Sequence, residues 1–167
     1  MFPVRLRDLP RLRLHEVAGG EVEIGPFVVT ARFVCHPNPT VGYRIEAPGA
    51  VLAYLPDHEP ALGRRRPFQS GDWTSGYALA AGADLLIHDA QYSDEEYAAR
   101  AGFGHSSFRH ALEFAALAGV KQLVPFHHDP SHGDGDLDDL HRAAVESFQP
   151  SFPVAAGAEG ETYRVGS

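Results

Sequence analysis

The chain has 167 residues, 44% of them hydrophobic and 22% charged, and its formal net charge is −8. This length predicts a single domain, residues 1–167, with room for a substantial core. No apolar run approaches the roughly 20 residues that a membrane-spanning helix needs, so no membrane partner is expected. The acidic surplus disfavours binding along a nucleic-acid backbone, because phosphate neutralisation requires many clustered cations. The first residues lack the charged-then-apolar pattern of a signal peptide, and a cytoplasmic location is expected.

Cysteine and histidine usage narrows the chemistry that the chain can carry. The single cysteine, Cys35, excludes an intrachain disulfide framework and a cysteine-based zinc cluster. We expect it to be a small buried strand residue. Ten histidines are present, and several lie beside Pro, Gly or Asp at the ends of apolar runs. Metal ligands are commonly presented on such loops, because a rigid scaffold holds them in place.

The first half of the sequence has the pattern of paired strands. Two apolar stretches surround a Gly25-Pro26 turn, and two more surround a Pro48-Gly49 turn. An extended segment, residues 1–20, precedes them. The predicted strands cover residues 21–24, 27–34, 42–46 and 50–55.

From about residue 72 the pattern changes to alternating helix and strand. Ser93 and Glu96 form a capping-box pair. Ser107 and Gly119 have the positions of a helix cap and a helix stop. The predicted elements are helices at 75–81, 93–100, 107–119 and 136–148, and strands at 84–88, 122–126 and in one or two segments of 154–165. This order predicts an α/β domain in which helices cover one face of a mixed sheet.

Four polar residues come directly after predicted strands: His36, Asp57, Asp89 and His127. Neighbouring strands that end at one sheet edge would bring them together, and α/β sheets usually carry their sites there. His105 precedes a helix and could face the same cleft. Imidazole and carboxylate are the ligands expected for zinc or a similar divalent ion. A carboxylate can bridge two ions that share a hydroxide nucleophile, and an Asp–His pair outside the metal shell can donate a proton.

Each of these residues also has an ordinary structural explanation. A histidine at the end of a strand is more often a cap or a surface residue than a ligand. Asp57 could form a turn, and Asp89 could cap a helix or loop. We expect His132 and Asp134 to be ordinary loop polarity. Three further histidines have no supporting context and are given no role: His15, His110 and His141.

Four segments of the chain form an ordered set. In segment 36–46, HPNPTVGYRIE, a histidine precedes a Gly-Tyr-Arg strand, and segment 55–58 is LPDH. Segment 87–92 is IHDAQY, and segment 124–127, VPFH, is a strand with a terminal histidine. Between the last two, His105 starts a long alanine-rich helix. Together, across roughly residues 27–130, these features resemble the ribonuclease Z-like members of the metallo-β-lactamase superfamily.

The resemblance implies the αββα sandwich of that superfamily and a role for each residue. It implies that His36 binds the first metal, that Asp57 bridges two metals and that His127 binds the second. Asp89 and His105 are implied to be the catalytic proton relay. The implied cofactor is zinc, two ions per complete site, with manganese or iron as alternatives. The implied reaction is hydrolysis of a phosphodiester or related ester by a metal-bound hydroxide.

The family's main metal motif, His-x-His-x-Asp-His, does not occur in the 167 residues. We therefore expect the chain to be the carboxy-terminal half of the fold. A homodimer or a separate amino-terminal half would be its partner. Two functions stay open: a zinc-dependent hydrolase, or a catalytically incomplete half-domain that self-associates or binds a partner. A small β metal-binding module fails on the strand–helix alternation after residue 72.

The expected substrate is a small-molecule (phospho)ester. The arginine triplet at residues 64–66 is compatible with a phosphorylated small molecule, although such a cluster is more often a solvated loop. The inserted segment that holds transfer RNA in ribonuclease Z has no counterpart in this chain. With the acidic charge, this predicts that nucleic acid is not a partner.

Overall fold

A computed structural model describes residues 19–60, 62 and 70–166 of the chain. Within them, six strands form one sheet in sequence order. The strands are β1 (Gly20–Ile24), β2 (Phe27–Val34), β3 (Thr40–Ala47), β4 (Ala50–Leu55), β5 (Leu85–Asp89) and β6 (Leu123–Phe126). The helices are α1 (Tyr77–Ala80), α2 (Asp94–Arg100), α3 (Phe108–Ala118) and α4 (Asp134–Phe148), with a 3₁₀ turn at Gly71–Trp73.

The strand directions determine where the loops meet. β1 to β4 pair antiparallel, whereas β4, β5 and β6 pair parallel. Because β3 is antiparallel to both neighbours, β2 runs in the same direction as β4. The carboxyl ends of β2, β4, β5 and β6 therefore lie at one edge of the sheet, where α/β folds place their sites.

One face of the sheet packs against helices, as predicted. Ala53, Leu86 and Leu123 are in register on β4, β5 and β6, and all three are fully buried. They belong to one apolar cluster with Leu112 and Phe114 of α3. α4 packs on the outside of this cluster through half-buried apolar side chains. The predicted α/β class, with helices on one face of a mixed sheet, is confirmed.

The opposite face of the sheet is apolar too. Tyr43, Tyr54, Ile87 and Val124 form a row in register across β3, β4, β5 and β6. Neighbouring residues in a strand point to opposite faces, so this row faces away from the Leu86 cluster. Val124 is buried and the other three are half-buried.

Local signals in the sequence form the helix ends that they predict. Ser93 and Glu96 make both hydrogen bonds of the capping box at the start of α2. The Ser107 side chain accepts the His110 N–H at the start of α3. Gly119 ends α3 in the left-handed region, at φ 63°, which favours glycine.

Two predicted helix starts are displaced. α1 begins at Tyr77, because Gly76 before it has φ 74° and does not continue a helix. α4 begins at Asp134 rather than at Asp136. Asp136 accepts the N–H of Gly133, so it closes the first turn of the helix instead of preceding it.

The closing strands predicted within residues 154–165 are absent from the described structure, where this segment makes only a bridge between Val154 and Leu123. The bridge uses bonds from Leu123 N–H to Pro153 and from Ala155 N–H to Leu123. The next donor on β6 would be residue 125, which is Pro125 and has no N–H. The parallel ladder therefore stops after one bridge.

Some expectations lie outside the described residues. They are the first 18 residues of the extended segment predicted over residues 1–20, and the arginine triplet at residues 64–66. Among the described residues, none of the helices has the length and apolar character needed to cross a membrane.

The core predicts a large difference between two phenylalanine truncations. Phe114 is fully buried, whereas Phe33 is 69% exposed. We expect Phe114→Ala to lower the free energy of unfolding by about 3–5 kcal/mol, since it leaves a cavity against α3 and the sheet. Phe33→Ala is the matched control, with an expected change within about 0.5 kcal/mol. Urea unfolding measures both, and equal losses would contradict the described core.

Candidate metal centre

The sheet edge described above brings the predicted site residues together. Asp57 lies two residues after β4, Asp89 is the last residue of β5, and His127 directly follows β6. His36 lies two residues after β2. His105 lies three residues before α3. All five therefore lie at or next to the edge formed by the carboxyl ends of the strands.

Four of these residues form a compact group. Asp57, Asp89, His105 and His127 each offer one donor atom, and the four atoms lie within 4.8 Å of one another. Asp57 Oδ1 is 3.0 Å from His127 Nε2, and Asp89 Oδ2 is 2.6 Å from His105 Nδ1. The rings of His105 and His127 stack with centroids 5.0 Å apart. Two imidazoles and two carboxylates are a donor set that fits zinc or a similar divalent ion.

His36 lies beside this group rather than within it. Its ring meets the His105 ring edge-on, with centroids 5.4 Å apart. Its Nδ1 lies 3.1 Å from Thr40 Oγ1 and accepts the Asn38 N–H at 3.2 Å. The ring packs on the backbone of Gly104, where any Cβ would overlap with it. The structure thus places His36 at the rim of the centre, and its role as a ligand stays a prediction.

Asp89 is the most enclosed member of the group. Its carboxylate has no exposed surface and accepts N–H groups from His58, Gln91 and Ser106. Burial raises the pKa of Asp89, although the hydrogen bonds from His105 and Ser106 act in the opposite direction. Burial also acts to lower the pKa of His105, but the bond to Asp89 and its charge prevail, and the net shift is upward.

His127 has a backbone conformation that is uncommon for histidine. Its φ is 62°, in the left-handed region that residues other than glycine rarely adopt. Such strained residues cluster at functional sites, where the surroundings hold them. In this conformation the His127 side chain reaches Asp57.

Glu59 is a site residue that the sequence did not single out. It is 1% exposed. Its carboxylate accepts the Tyr97 hydroxyl at 2.6 Å, the Gly102 N–H at 2.9 Å and the Gly104 N–H at 2.8 Å. Glu59 thereby fixes the loop that leads to His105. Its place after Asp57-His58 is the only signal in the sequence, because loop partners distant in the chain are not visible there.

His58 and His88 are further buried residues that the sequence did not single out. Both are fully buried, and His58 Nδ1 lies 2.9 Å from His88 Nε2. Burial lowers the pKa of His88 to about 4. Burial, and then the neighbouring His88, hold the pKa of His58 well below its ordinary value. The sequence around His88, inside an apolar strand, and around His58, in the loop after β4, does not show which partner each histidine contacts.

Residues that were assigned ordinary roles are not members of the four-residue group. His132 is not simple loop polarity, since its Nε2 lies 3.0 Å from a Glu96 oxygen and its side chain is 11% exposed. Asp134 is the first residue of α4. Cys35 is half-buried and lies one residue beyond β2, so the prediction of a buried strand residue is wrong. His110 packs on the Tyr97 ring at 4.3 Å. His15 is outside the described residues.

With this geometry in place, the family can be stated. The model of the β-lactamase superfamily domain matches residues 2–128. The chain therefore belongs to the metallo-β-lactamase superfamily, as a ribonuclease Z-like member. This agrees with the resemblance seen in the sequence.

Among similar sequences, the ribonuclease Z of Brevibacillus brevis is 41% identical over 106 residues, which cover 60% of this chain and 32% of the relative. The ribonuclease Z of Nocardia farcinica is 31% identical and is covered over 59% of its length by 87% of this chain. The chain thus spans only part of the curated relatives that it matches, about a third of the first.

Two solved structures place the fold. The metallo-β-lactamase fold protein YhfI from Bacillus subtilis has a TM-score of 0.63 at 19% identity, covering 86% of this chain and 52% of that one. Human tRNase Z, short form, has a TM-score of 0.52 at 29% identity, covering 65% of this chain and 38% of that one. The first match supports the fold alone.

The prediction that nucleic acid is not a partner is wrong. Similar sequences, at up to 41% identity among those above, are ribonucleases Z, and the similar human structure is a tRNase Z. The net charge of −8 misled the prediction, because a whole-chain charge says little about the field at one sheet edge.

The buried carboxylate of Glu59 predicts a stability loss on a nearly isosteric change. We expect Glu59→Gln to lower the free energy of unfolding by about 1–3 kcal/mol, since an amide has one acceptor oxygen and leaves a buried N–H or hydroxyl unpaired. Glu161→Gln, at an exposed position, is the control and should change stability by less than about 0.5 kcal/mol. Denaturant unfolding decides, and equal losses would contradict the described role of Glu59.

The His105–Asp89 pair predicts a titration order in the metal-free protein. His105 has a raised pKa, whereas burial lowers the pKa of His141, on α4. An NMR titration of ring protons should therefore find His105 protonated to higher pH than His141. The stabilisation from His105 is fully present below about pH 6.5 and is lost as pH rises through its raised pKa. The reverse order would show that the pair is not formed.

Proposed function

We propose that this chain provides metal donors and the proton relay of a metal-dependent hydrolase that cleaves phosphodiester bonds in RNA. The observation that carries the proposal is the group of Asp57, Asp89, His105 and His127, whose donor atoms lie within 4.8 Å at one sheet edge. The similarity to ribonucleases Z supports RNA as the substrate class. We place the reaction in the cytoplasm.

Zinc is the proposed cofactor. Asp57 and His127, joined at 3.0 Å, are the proposed core of the donor set, and His36 at the rim is the proposed further ligand. When bound, zinc supplies Lewis acidity toward phosphoryl oxygens and lowers the pKa of water. Manganese and iron bind to the same donor types and are the alternatives.

The proton relay consists of this chain's own residues. Asp89 Oδ2 holds His105 Nδ1 at 2.6 Å, which orients the ring and favours its protonated form. The second nitrogen, Nε2, is then the donor for the oxygen that leaves phosphorus. After that transfer the other ring proton remains on His105 Nδ1, hydrogen-bonded to Asp89. The charge on the carboxylate therefore does not change. Loss of water from Asp89 strengthens the pairing, because the carboxylate is fully buried.

A second candidate is a half-domain that folds without catalytic competence. The sequence of 167 residues lacks the His-x-His-x-Asp-His motif, and catalytic zinc usually has three protein ligands. The apolar sheet face that carries Tyr43, Tyr54 and Ile87 favours association with a partner. The candidates differ in zinc affinity and in RNA cleavage.

Cleavage of a labelled RNA oligonucleotide, with and without added zinc, tests the proposal. We expect zinc-dependent cleavage that falls more than about 100-fold in His127→Ala, since even indirect partners of metals cost 10–100-fold. His141→Ala, on α4 and outside the donor group, is the control and should retain activity. Cleavage that survives His127→Ala would contradict the ligand assignment. A chain that neither binds zinc nor cleaves RNA would favour the half-domain.

A further inference from the structure

A continuous line of hydrogen bonds runs through the interior next to the candidate metal centre. The Cys35 N–H lies 2.7 Å from Ser75 Oγ, and Ser75 Oγ lies 3.2 Å from His58 Nε2. His58 Nδ1 lies 2.9 Å from His88 Nε2. His88 Nδ1 lies 2.6 Å from the carbonyl oxygen of Asp89. The line thus connects the ends of β2, β4 and β5.

The chemistry of the two ends gives this line a direction. A carbonyl oxygen only accepts hydrogen bonds. His88 Nδ1 therefore carries a proton and donates a hydrogen bond to the carbonyl oxygen of Asp89. A neutral imidazole has one N–H, and a buried ring without a facing carboxylate stays neutral. His88 Nε2 therefore accepts from His58 Nδ1–H, which leaves His58 Nε2 as an acceptor for the Ser75 hydroxyl. The Ser75 oxygen in turn accepts the Cys35 N–H, a group that only donates.

Other groups pack closely around the two buried rings. The Phe114 ring lies 5.3 Å from the His58 ring and 4.9 Å from the His88 ring, centroid to centroid. Gly76 has φ 74°, and a Cβ on it would lie 2.7 Å from His58 Cε1. The backbone of Gly76 therefore packs against the His58 ring at a distance that leaves no space for a side chain.

Three members of the line are adjacent in sequence to candidate site residues. Cys35 precedes His36, and His58 follows Asp57. His88 precedes Asp89, whose carboxylate also accepts the His58 backbone N–H. Hydrogen-bond partners outside the ligand shell orient metal ligands, and losing such a partner lowers metal affinity. A line that joins three strand ends limits such movements.

We propose that Ser75, His58 and His88 are positioning residues. Their side chains form the directed line of hydrogen bonds. This line holds both imidazoles as the Nδ1–H tautomer and fixes the strand ends that carry the metal donors. The inference deepens the proposed function, since those donors belong to the proposed metal centre. The line of hydrogen bonds is a property of the metal-free protein, so it can be tested separately.

The first test is the tautomer of each ring in the full, ¹⁵N-labelled, metal-free protein. Long-range proton–nitrogen NMR correlations distinguish protonated from unprotonated ring nitrogens. We expect His58 and His88 both to carry the proton on Nδ1, with Nε2 unprotonated. A proton on Nε2 of either ring would overturn the proposal, and this measurement needs no variant.

The second test reverses the direction. In His88→Leu, His58 Nδ1 loses its acceptor, whereas Ser75 Oγ stays near His58 Nε2. The His58 proton should therefore move from Nδ1 to Nε2. Phe114→Leu is the matched control, because it alters packing on the same rings and no hydrogen bond of the line. An unchanged His58 tautomer in His88→Leu, or a changed one in Phe114→Leu, would overturn the proposal.

The positioning role is tested by zinc affinity, measured by calorimetric titration of the full chain. We expect His88→Leu to weaken zinc binding about 10–100-fold, as for other outer partners of metal ligands, and Phe114→Leu to weaken it much less. Equal affinities of the parent and His88→Leu would refute positioning. A parent that binds no zinc would count against the proposed function. The tautomer measurements would still show whether the line of hydrogen bonds has the proposed direction.

Discussion

The buried carboxylate of Asp89 is the constraint on which the site depends. A charge without exposed surface is stable only when hydrogen bonds replace its hydration. Here the replacement comes from three backbone N–H groups and from the His105 ring. Two of those N–H groups belong to His58 and Ser106, so one carboxylate fixes the loop after β4 and the segment before α3. The demand of one buried charge thereby organises parts of the chain that are far apart in sequence.

The direction of the strands makes this arrangement possible. β4, β5 and β6 are parallel, and β2 shares their direction because β3 reverses between β2 and β4. Polar residues that follow these strands consequently meet at one edge, while the apolar faces stay in the layers. The left-handed φ of His127 is a departure from regular structure at this edge. The packed apolar layers thus stabilise the fold enough to tolerate a strained and polar edge.

The two residues that follow Asp57, His58 and Glu59, are buried and fix different parts of the centre. Glu59 fixes the loop that carries His105, through the Tyr97 hydroxyl and two glycine N–H groups. His58 connects the opposite way, toward Ser75 and His88. In the proposed hydrolase, this places the donors and the proton relay before any substrate arrives, and such preorganisation is a large part of how enzymes stabilise transition states.

Much of the fold and part of the site were determined by the sequence alone. Alternating and continuous apolar runs predicted the strands, and the Ser93–Glu96 and Ser107 signals predicted the starts of α2 and α3, because these features depend on neighbours within a few residues. The ordered segments around His36, Asp57, Asp89, His105 and His127 identified the superfamily. Net charge misjudged the partner, because it averages over the whole surface.

Only the tertiary structure decided which of these residues touch. It placed Asp57, Asp89, His105 and His127 in one group and His36 at its rim. It also stopped the predicted closing strands at one bridge, since Pro125 lacks the N–H that the next rung of the ladder needs. The side-chain partners of Glu59 and His58 lie 17 to 45 residues away in the sequence. No local pattern encodes such contacts, because the folding of the sheet, not the spacing of the residues, creates them.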